Sequence, residues 1–373
     1  MKVALDVSAV PPRLAGAGRY AAELARRLPT HGIQSTLVTR RDDAGRWAQW
    51  SPASTIAPIV PERTIARRVF EAWRLGTSEP ARRADVWHAP HYTMPHRGST
   101  PAVVTIHDLT FFTNPEWHER SKVAFFRRAI NYSAEHAKVL ISVSDFTAQQ
   151  LDEFVPRHAP VVVAPHGVDL ERFTTDSSRD EQLFRTHGLA AGVPYVFFLG
   201  TVEPRKGLDV LLEAFAELAS GDSSLELWLA GQAGWGLNEF EETLARHPAS
   251  SRIRRLGYVD EEVLAALLRQ ARVVAYPSRG EGFGLPVLEA LACGAPVVTS
   301  RDTVMAEVAG DAASLVTVGD STQLATELLQ CCAMSPDRRD QHSRVARERA
   351  ERFTWDASLA RHLVAYTLAR SGE

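Results

Sequence analysis

Short runs of β-branched and apolar residues alternate with stretches of helical periodicity along the whole chain, and this alternation limits the fold more than any other feature. It is typical of parallel sheets that helices cover on both faces. We therefore expect an α/β fold with doubly wound parallel sheets. The strand candidates are residues 2–7, 35–39, 86–89, 102–107, 139–143 and 161–164 in the first half, and 195–200, 225–231, 253–259, 273–278, 296–300 and 314–318 in the second.

The length of 373 residues indicates more than one domain. Single hydrophobic cores stop growing at about 250 to 300 residues, so two domains are the default. Residues 165–194 are polar and rich in turn-forming residues, which is typical of a linker between the two sets of strands. Ligands of open α/β sheets bind outside the carboxyl ends of the strands, so functional residues should follow strand ends.

Charge and cysteine content exclude several classes of protein. A formal net charge of -3 argues against a nucleic-acid partner. The three cysteines include the adjacent pair Cys331 and Cys332 and offer neither a disulfide framework nor a C-x-x-C metal spacing. The first apolar run reaches Asp6 too early for a signal peptide, and no run approaches the ~18 apolar residues of a membrane span. We expect a cytoplasmic protein, soluble or peripheral at the inner face of the plasma membrane.

The segment "RGEGFGLPVLEALACGAPVVTS" places two carboxylates, Glu281 and Glu289, after a predicted strand. Gly282 and Gly284 allow positive φ or close approach to a ligand, and Pro286 is suited to the first turn of a helix over residues 286–293. The pattern predicts carboxylates that accept hydrogen bonds from sugar hydroxyls beside a helix N-terminus that suits an anion. Alternatively, Glu281 only complements the helix dipole and Glu289 lies on a solvated face.

A second loop, "TVEPRKGLDVLLEAF", follows another predicted strand. Arg205, Lys206 and Gly207 lie between the strand end and an amphipathic helix. Two adjacent cations at the carboxyl edge of a sheet could hold a diphosphate, with bidentate bonds from Arg and a point charge from Lys. The alternative is a solvated surface loop in which the two charges contribute little.

Taken in order, these motifs carry a resemblance. The segments "GTVEPRKGLDVLLEAF", "LGYVDEEVLAALLRQARVVAYPSRGEGFGLPVLEALACGAPVVTS" and "EVAGDAASLV" resemble the nucleotide-sugar domain of glycosyltransferase family 4, whose members are retaining enzymes of the GT-B fold. "AGAGRYAAELARRL", "TIHDL", "VSDFT" and "PHGVDLERF" resemble the acceptor domain and interdomain segment of that family. "GAGRY", "TIHDLTFF", "PEWH" and "EPRKGL" look most like bacterial mannosyltransferases of polysaccharide and glycolipid assembly.

The resemblance implies two Rossmann-like domains that face each other across a cleft, an acceptor-binding domain of residues 1–170 and a nucleotide-sugar domain of residues 171–352. A C-terminal helix within residues 353–373, with Thr354 as its N-cap candidate, would cross back onto the first domain. Arg205 and Lys206 would bind the diphosphate and stabilise it as it leaves. The remaining donor-binding positions would be Gly257, Tyr258, Val259, Glu281, Gly282, Phe283, Gly284, Leu285 and Glu289.

His107 ends the run "AVVTIHD" and is followed by Asp108, at the expected ligand-binding edge of the first sheet. It is either an ordinary structural histidine or, as the resemblance implies, a catalytic residue that orients the hexose. Gly16, Gly18 and Arg19 follow the first strand, before a helix, and the resemblance makes them a loop that closes over the phosphate and acceptor, with Asp108 beside them. The lone G-x-G lacks the third glycine of the dinucleotide fingerprint, which argues against a dehydrogenase.

No D-x-D sequence occurs in the chain, so we expect metal-independent catalysis with no cofactor beyond the nucleotide-sugar donor. Arg205, Lys206 and the helix N-terminus would replace the metal at the departing diphosphate. Glu281 is the one carboxylate to test as a nucleophile, but we expect front-face displacement instead. The leading function is transfer of mannose from GDP-mannose to a glycan or lipid-linked saccharide. Alternatives are a UDP- or dTDP-sugar donor, an epimerase and a catalytically silent binding protein.

Two segments of the first half bear on membrane contact. Residues 63–76 and 121–138 combine Lys and Arg with Phe and Trp at helical spacing. They could lie on an anionic membrane and present a lipid-linked acceptor. Ordinary amphipathic helices with snorkelling arginines explain the same pattern.

Overall fold

The computed structural model describes residues 1–12, 14, 16–234 and 237–371, and it divides the chain into two compact units. Unit 1 consists of Met1–Gly167 together with the chain from Trp355 onward. Unit 2 consists of Val168–Thr354. Each unit contains its own parallel sheet and is described by itself.

The sheet of unit 1 has seven parallel strands in the order β3-β2-β1-β4-β5-β6-β7. The order runs outward in one direction from β1 to β3 and in the other from β4 to β7, so β1 and β4 flank a topological switch point. The strands are β1 Lys2–Asp6, β2 Gln34–Arg40, β3 Thr55–Val60, β4 Val86–Ala89, β5 Ala102–Ile106, β6 Val139–Ser142 and β7 Val161–Val163.

Helices cover both faces of this sheet because its strands are apolar on both sides. Val3 and Leu5 of β1 pack with α1 and the C-terminal helix, whereas Ala4 packs with α6 and α7. The alternation follows from the two-residue period of a strand. The helices of unit 1 are α1 Gly16–Thr30, α2 Ala44–Trp50, α3 Thr64–Trp73, α4 Glu79–Arg83, α5 Thr110–Thr113, α6 Arg120–His136, α7 Asp145–Phe154 and the C-terminal helix Trp355–Ser371.

The sequence patterns did not predict β3, the strand at one edge of this sheet. It contains Pro58, which cannot donate a hydrogen bond to a neighbouring strand. Proline is tolerated at an edge because one side of the strand has no partner. The other six strands predicted in the first half are confirmed, with ends that differ by one residue or less.

Unit 2 contains six parallel strands in the order β10-β9-β8-β11-β12-β13, with a switch point between β8 and β11. All six predicted strands are present, and both sheets have the doubly wound order. The strands are β8 Tyr195–Leu199, β9 Glu226–Ala230, β10 Ile253–Gly257, β11 Val273–Tyr276, β12 Val297–Ser300 and β13 Ser314–Val316. The helices are α8 Asp180–Thr186, α9 Leu208–Gly221, α10 Leu237–Arg246, α11 Glu261–Gln270, α12 Leu285–Ala292, α13 Val304–Ala309, α14 Ser321–Cys332 and α15 Pro336–Ala350.

The segment expected to be a linker, residues 165–194, is instead packed structure over much of its length. It contains α8, and Phe173 and Phe184 are buried. Asp180 is buried beneath Arg269, which donates to both carboxylate oxygens at 2.5 and 3.0 Å. The polar composition of residues 165–194 gave no indication of these apolar and ion-pair contacts. Separately, no described helix is both long and apolar enough to cross a membrane.

Candidate functional site

The two loops singled out in the second half of the sequence meet at the switch point of unit 2. Arg205 and Lys206 follow β8, and Glu281 follows β11, the strand paired with β8. The carboxyl ends of adjacent parallel strands lie at one edge of the sheet, where the loops diverge and leave room for a ligand. The topology therefore brings together side chains that are 75 and 76 residues apart in sequence.

Glu281 is the centre of this group. Its Oε2 accepts a hydrogen bond from Arg205 Nη1 at 2.7 Å, and its Oε1 lies 2.5 Å from Lys206 Nζ. Tyr276 and Ser278 also donate to Oε1, at 3.0 and 2.8 Å. Arg205 Nε also donates to Glu203 Oε2 at 3.1 Å, so two carboxylates balance the two cations.

These contacts fix the charge states of the group. Burial by itself raises the pKa of Glu281, but the charges of Arg205 and Lys206 outweigh that effect and lower it to about 2. Burial lowers the pKa of Lys206, and the Glu281 carboxylate opposes that change. The Lys206 side chain is only 10% exposed, so the alternative of a solvated loop is wrong for this residue.

A second layer of residues holds the loop in place. Arg279 donates to the Pro204 carbonyl at 2.6 Å and to both carboxylate oxygens of Asp209 at 2.9 and 2.6 Å. Gly207 has φ of 69°, and a Cβ there would lie 2.2 Å from the carbonyl oxygen of Pro277. Sequence reasoning missed Tyr276, Ser278 and Arg279, although all three precede Glu281 in the same strand and loop.

Helix α12 begins one residue earlier than predicted, at Leu285, and ends at Ala292. Gly284 precedes it with φ of 96°, a left-handed conformation that favours glycine, whereas Gly282 does not adopt positive φ. Glu289 is 3% exposed, so the alternative of a solvated face is wrong for this residue. Phe283 and Leu285 are also buried.

The residues assigned to the base lie at the end of β10. Gly257 has φ of 68°, and no atom would lie within 4 Å of an added Cβ. Its neighbour Tyr258 is 49% exposed. Open space beside a turn and an exposed aromatic ring leave room for a planar ring at this edge of unit 2. The base-binding role of Gly257, Tyr258 and Val259 stays a prediction.

In unit 1, His107 follows β5 and is 8% exposed. Its Nε2 lies 2.8 Å from the Pro90 carbonyl oxygen, which can only accept, so the proton is on Nε2. Burial lowers the pKa of His107, an effect that the Pro90 carbonyl and Asp108 oppose. The ring is therefore a neutral imidazole whose Nδ1 has a lone pair.

A buried aromatic and histidine cluster surrounds His107, and the sequence reasoning did not identify it. The His107 ring centroid lies 5.2 Å from that of Tyr20 and 5.7 Å from that of His166. Tyr20 Oη in turn lies 2.8 Å from Thr105 Oγ1 and 2.7 Å from His362 Nε2. Burial lowers the pKa of His362 to about 4, so its ring is neutral at physiological pH.

One expectation for unit 1 needs correction. Gly16, Gly18 and Arg19 do not precede the first helix, because α1 begins at Gly16 and contains all three. Both oxygens of Asp108 are occupied within the fold. Oδ1 accepts from the Thr110 backbone and hydroxyl at 3.0 and 2.6 Å, and Oδ2 accepts from Tyr92 at 2.8 Å. These bonds fix the orientation of Asp108, and its role beside the phosphate and acceptor stays a prediction.

Among the residues that the structure describes, no group of three or more His, Cys, Asp or Glu side chains is arranged to hold a metal ion. Unit 2 has a pair of cations next to a helix N-terminus. Both features attract phosphate oxygens. The geometry of unit 2 thus suits a ligand that combines hydroxyl groups with a phosphate.

Comparison with known protein families gives two matches that together span most of the chain. The family described as "Glycosyl transferases group 1" matches residues 193–334. The family described as "Glycosyltransferase Family 4" matches residues 14–172. The first match contains Arg205, Lys206, Glu281 and Glu289, and the second contains His107.

Curated relatives extend over nearly the full length. The O-antigen chain mannosyltransferase B of Escherichia coli is 30% identical, with 99% of this chain and 100% of that protein covered. The D-inositol 3-phosphate glycosyltransferase of Geodermatophilus obscurus is 28% identical, with 95% of this chain and 85% of that protein covered.

Among solved structures, Anabaena Alr3699/HepE in complex with UDP-glucose matches with a TM-score of 0.76 and 20% identity. The match covers 98% of this chain and 99% of that chain. Because such matches extend over almost the whole of both chains, the predicted GT-B fold class is confirmed.

Proposed function

Because the chain belongs to glycosyltransferase family 4, we propose that it transfers mannose from GDP-mannose to a glycan or lipid-linked saccharide. The mannosyl specificity is supported by the 30% identity to an O-antigen chain mannosyltransferase. The observation that carries the proposal is the compact group of Arg205, Lys206 and Glu281 at the switch point of unit 2.

This group suits the departure of a nucleoside diphosphate. Negative charge grows on the leaving oxygen as the bond to the anomeric carbon breaks, and preorganised cations stabilise that charge. We infer that the donor diphosphate takes over hydrogen bonds that Arg205 and Lys206 make to Glu281 in this structure. Glu281 then accepts hydrogen bonds from sugar hydroxyls, while Glu289 binds the ribose.

We propose a front-face reaction that retains the anomeric configuration. The leaving diphosphate accepts the proton of the acceptor hydroxyl, and Arg205 and Lys206 act where a divalent cation acts in other transferases. This assignment gives no covalent role to Glu281. Its low pKa supports a binding role, because a weakly basic carboxylate held by two cations is a poor nucleophile.

His107 would act on the donated hexose rather than on the nucleotide. A neutral ring with its proton on Nε2 can accept a hydrogen bond from a sugar hydroxyl through Nδ1. A neutral ring also avoids placing positive charge beside an anomeric carbon that becomes positive in the transition state. The Nδ1 lone pair and the neutral charge both support a role for His107 in turnover.

A UDP-sugar donor is the second candidate. The structural likeness to a protein solved with UDP-glucose favours it, although 20% identity carries no information on the base. Both candidates use the same group in unit 2 for the diphosphate. The two donors differ in the base, which would lie at residues 257–259.

A panel of nucleotide sugars tests the proposal by thermal shift and by transfer to mannosides. A ligand at 100 times its Kd stabilises the folded state by about 2.7 kcal/mol, so the cognate donor should raise the unfolding temperature clearly. We expect the largest shift with GDP-mannose and loss of that shift in Lys206→Ala.

Lys138→Ala is the matched control, because Lys138 is exposed and lies in unit 1. It should respond to donors like the wild type. A larger shift with UDP-sugars would replace the GDP assignment. Absence of both a shift and any transfer across the whole panel would refute the proposed function.

A further inference from the structure

Unit 1 has a pocket of about 330 Å³ at the carboxyl edge of its sheet. Asp6 ends β1, and His91 follows β4, so the pocket opens at the switch point of this sheet. Its volume lies at the small end of the range for ligand pockets, about 300 to 1,000 Å³. One or two sugar rings would fill it.

One side of the pocket is polar. Asp6 Oδ1 accepts from the Ser8 hydroxyl at 2.7 Å, and Ser8 Oγ lies 3.5 Å from Glu71 Oε1. Arg67 Nε lies 3.3 Å from the same Glu71 oxygen. Asp6 Oδ2 accepts no hydrogen bond from any residue that the structure describes. Asp6 therefore offers an acceptor position toward the pocket for a sugar hydroxyl group, and Glu71 adds a second carboxylate to the same side.

The opposite side is apolar and aromatic. Phe125 and Phe126 lie with ring centroids 5.1 Å apart, and Leu75 and Met94 also line the pocket. Phe125 is 46% exposed even though it belongs to the folded helix α6. A pyranose ring has the same two-sided character, because it carries hydroxyl groups around its rim and C–H groups on its faces.

His91 connects this pocket with His107. The ring centroids of the two histidines lie 5.6 Å apart, and His91 also stacks on Phe126 with centroids 6.2 Å apart. His91 Nδ1 is buried and has no hydrogen-bond partner among the described residues. Burial lowers the pKa of His91 to about 3, so the ring is neutral. A sugar in the pocket would therefore lie one aromatic ring away from His107.

Among the residues that the structure describes, the carboxylates and guanidinium that line the pocket are those of Asp6, Glu71 and Arg67. Burial raises the pKa of Asp6, which Ser8 and Arg67 oppose. Even with Asp6 protonated, Glu71 would still balance Arg67. The described lining thus has one cation, which Glu71 already holds, and no excess positive charge for a phosphate or carboxylate group, whereas the site in unit 2 has two adjacent cations.

From this geometry we propose that the pocket binds the uncharged terminal sugar of the acceptor, and that Asp6, Glu71 and Phe125 determine specificity for a neutral saccharide over a phosphorylated one. The assignment as an acceptor subsite rests on the proposed function. It also separates two classes of compound that appear in the names of the relatives, an O-antigen chain and D-inositol 3-phosphate.

Direct binding tests this assignment without relying on turnover. The full chain, saturated with GDP, is titrated with methyl α-mannoside and, separately, with mannose 6-phosphate, and each Kd is measured by ligand-observed NMR. We expect the neutral sugar to bind more tightly by about tenfold or more. Asp6→Asn should weaken binding of the neutral sugar by about tenfold. The ratio between the Kd values of methyl α-mannoside and mannose 6-phosphate should therefore become smaller.

Phe125→Ala removes an exposed ring and should also weaken binding, which provides a second variant if Asp6→Asn folds poorly. Glu135→Gln is the control, because Glu135 is an exposed acid of α6 outside the pocket. Failure of the wild type to bind the neutral sugar, equal or tighter binding of mannose 6-phosphate, or wild-type affinity in both variants would each overturn the inference. If the expected binding occurs but no nucleotide sugar supports transfer, the saccharide pocket stands and the proposed function fails.

Discussion

At the scale of single residues, Glu281 links the stability of unit 2 to the chemistry of its site. The carboxylate is kept ionised by Arg205 and Lys206, and a ligand that displaces those contacts must replace them. Ion pairs of this kind are strongly coupled, since removing one partner leaves the other charge buried and uncompensated. Substitutions at the three positions should therefore affect folding and binding together.

Replacement of Glu281 by Gln should make the stability of unit 2 less dependent on acidic pH. The folded-state pKa of about 2 lies below the ordinary value of 4.5, so the stabilisation is complete above about pH 4.5 and is lost as pH falls toward 2. The full shift corresponds to about 3 kcal/mol. Unfolding temperatures measured across this range should show a wild-type advantage that shrinks on acidification. A constant difference at every pH would contradict the assignment.

His107→Ala should separate turnover from donor affinity. If the ring acts on the hexose in the transition state, kcat falls by about 100-fold or more while the Kd for the nucleoside diphosphate stays within about twofold. Steady-state kinetics and calorimetric titration measure the two quantities. His31→Ala is the control, since His31 is exposed and follows α1. An equal loss of both quantities in His107→Ala would show that the histidine has no specific role at the sugar.

At the scale of structural elements, the loop between β8 and α9 depends on one glycine. Gly207 has a left-handed backbone and lies against the carbonyl of Pro277, in the loop after β11 that contains Glu281. The loop brings Arg205 and Lys206 up to Glu281 only because the backbone can approach so closely. The glycine at position 207 therefore helps to determine where both cations lie.

Gly207→Ala should destabilise unit 2 and weaken donor binding, because a Cβ would overlap the Pro277 oxygen in addition to straining the backbone. Gly188→Ala provides a matched control. Its φ of 64° is close to the 69° of Gly207, but no atom lies within 4 Å of its added Cβ. Chemical denaturation should give a cost of about 1 kcal/mol for the control and clearly more for Gly207→Ala. Equal costs would show that the close approach contributes nothing.

Helix α6 is the element that bears on membrane contact, which remains a proposal. Arg127 does not extend freely into solvent, since its Nε donates to the Phe111 carbonyl at 2.7 Å, so charge reversal there would disturb the fold. Lys122 and Arg128 are exposed on the same helix. We expect the full chain to float with anionic vesicles and Lys122→Glu/Arg128→Glu to lose that binding. Arg246→Glu, in unit 2, should float like the wild type, and flotation of the double variant would refute the proposal.

At the scale of the whole molecule, unit 1 is built from two separate parts of the chain. The C-terminal helix follows unit 2 in sequence, yet Trp355, Leu359 and Tyr366 are buried in the core of unit 1. Tyr366 Oη also lies 2.8 Å from His88 Nδ1. The fold of unit 1 is therefore complete only after unit 2 has been synthesised.

Trp355→Ala should lower the stability of unit 1 by about 3 to 5 kcal/mol, because it removes a ring that is 4% exposed. Hydrogen exchange followed by mass spectrometry should show faster exchange in β5, β6 and β7, on which this helix packs, with little change in the strands of unit 2. Val364→Ala on the same helix is the control. Val364 is 44% exposed and should change stability by no more than about 0.5 kcal/mol. Equal effects in both variants, or faster exchange mainly in unit 2, would contradict this prediction.

The agreement between sequence and structure is best where the signal is local. The runs "YVFFLG" and "VVAYPS" predicted buried parallel strands because β-branched and aromatic residues pack well in a sheet covered on both faces. Residues 165–194 were misjudged because a polar stretch can still bury Phe173, Phe184 and an ion pair. For the site, the sequence selected Glu281, Arg205 and Lys206, but their catalytic and binding roles stay predictions.

The sequence by itself determined the α/β class, the positions of most strands and the family, since each depends on residue types at fixed spacing along the chain. Tertiary structure decided which groups meet: the four donors around Glu281, the buried rings around His107, and the pocket between Asp6 and Phe125. These contacts join residues from a few to several hundred positions apart, as with Tyr20 and His362. Strand order and helix packing create such contacts, and no local pattern encodes them.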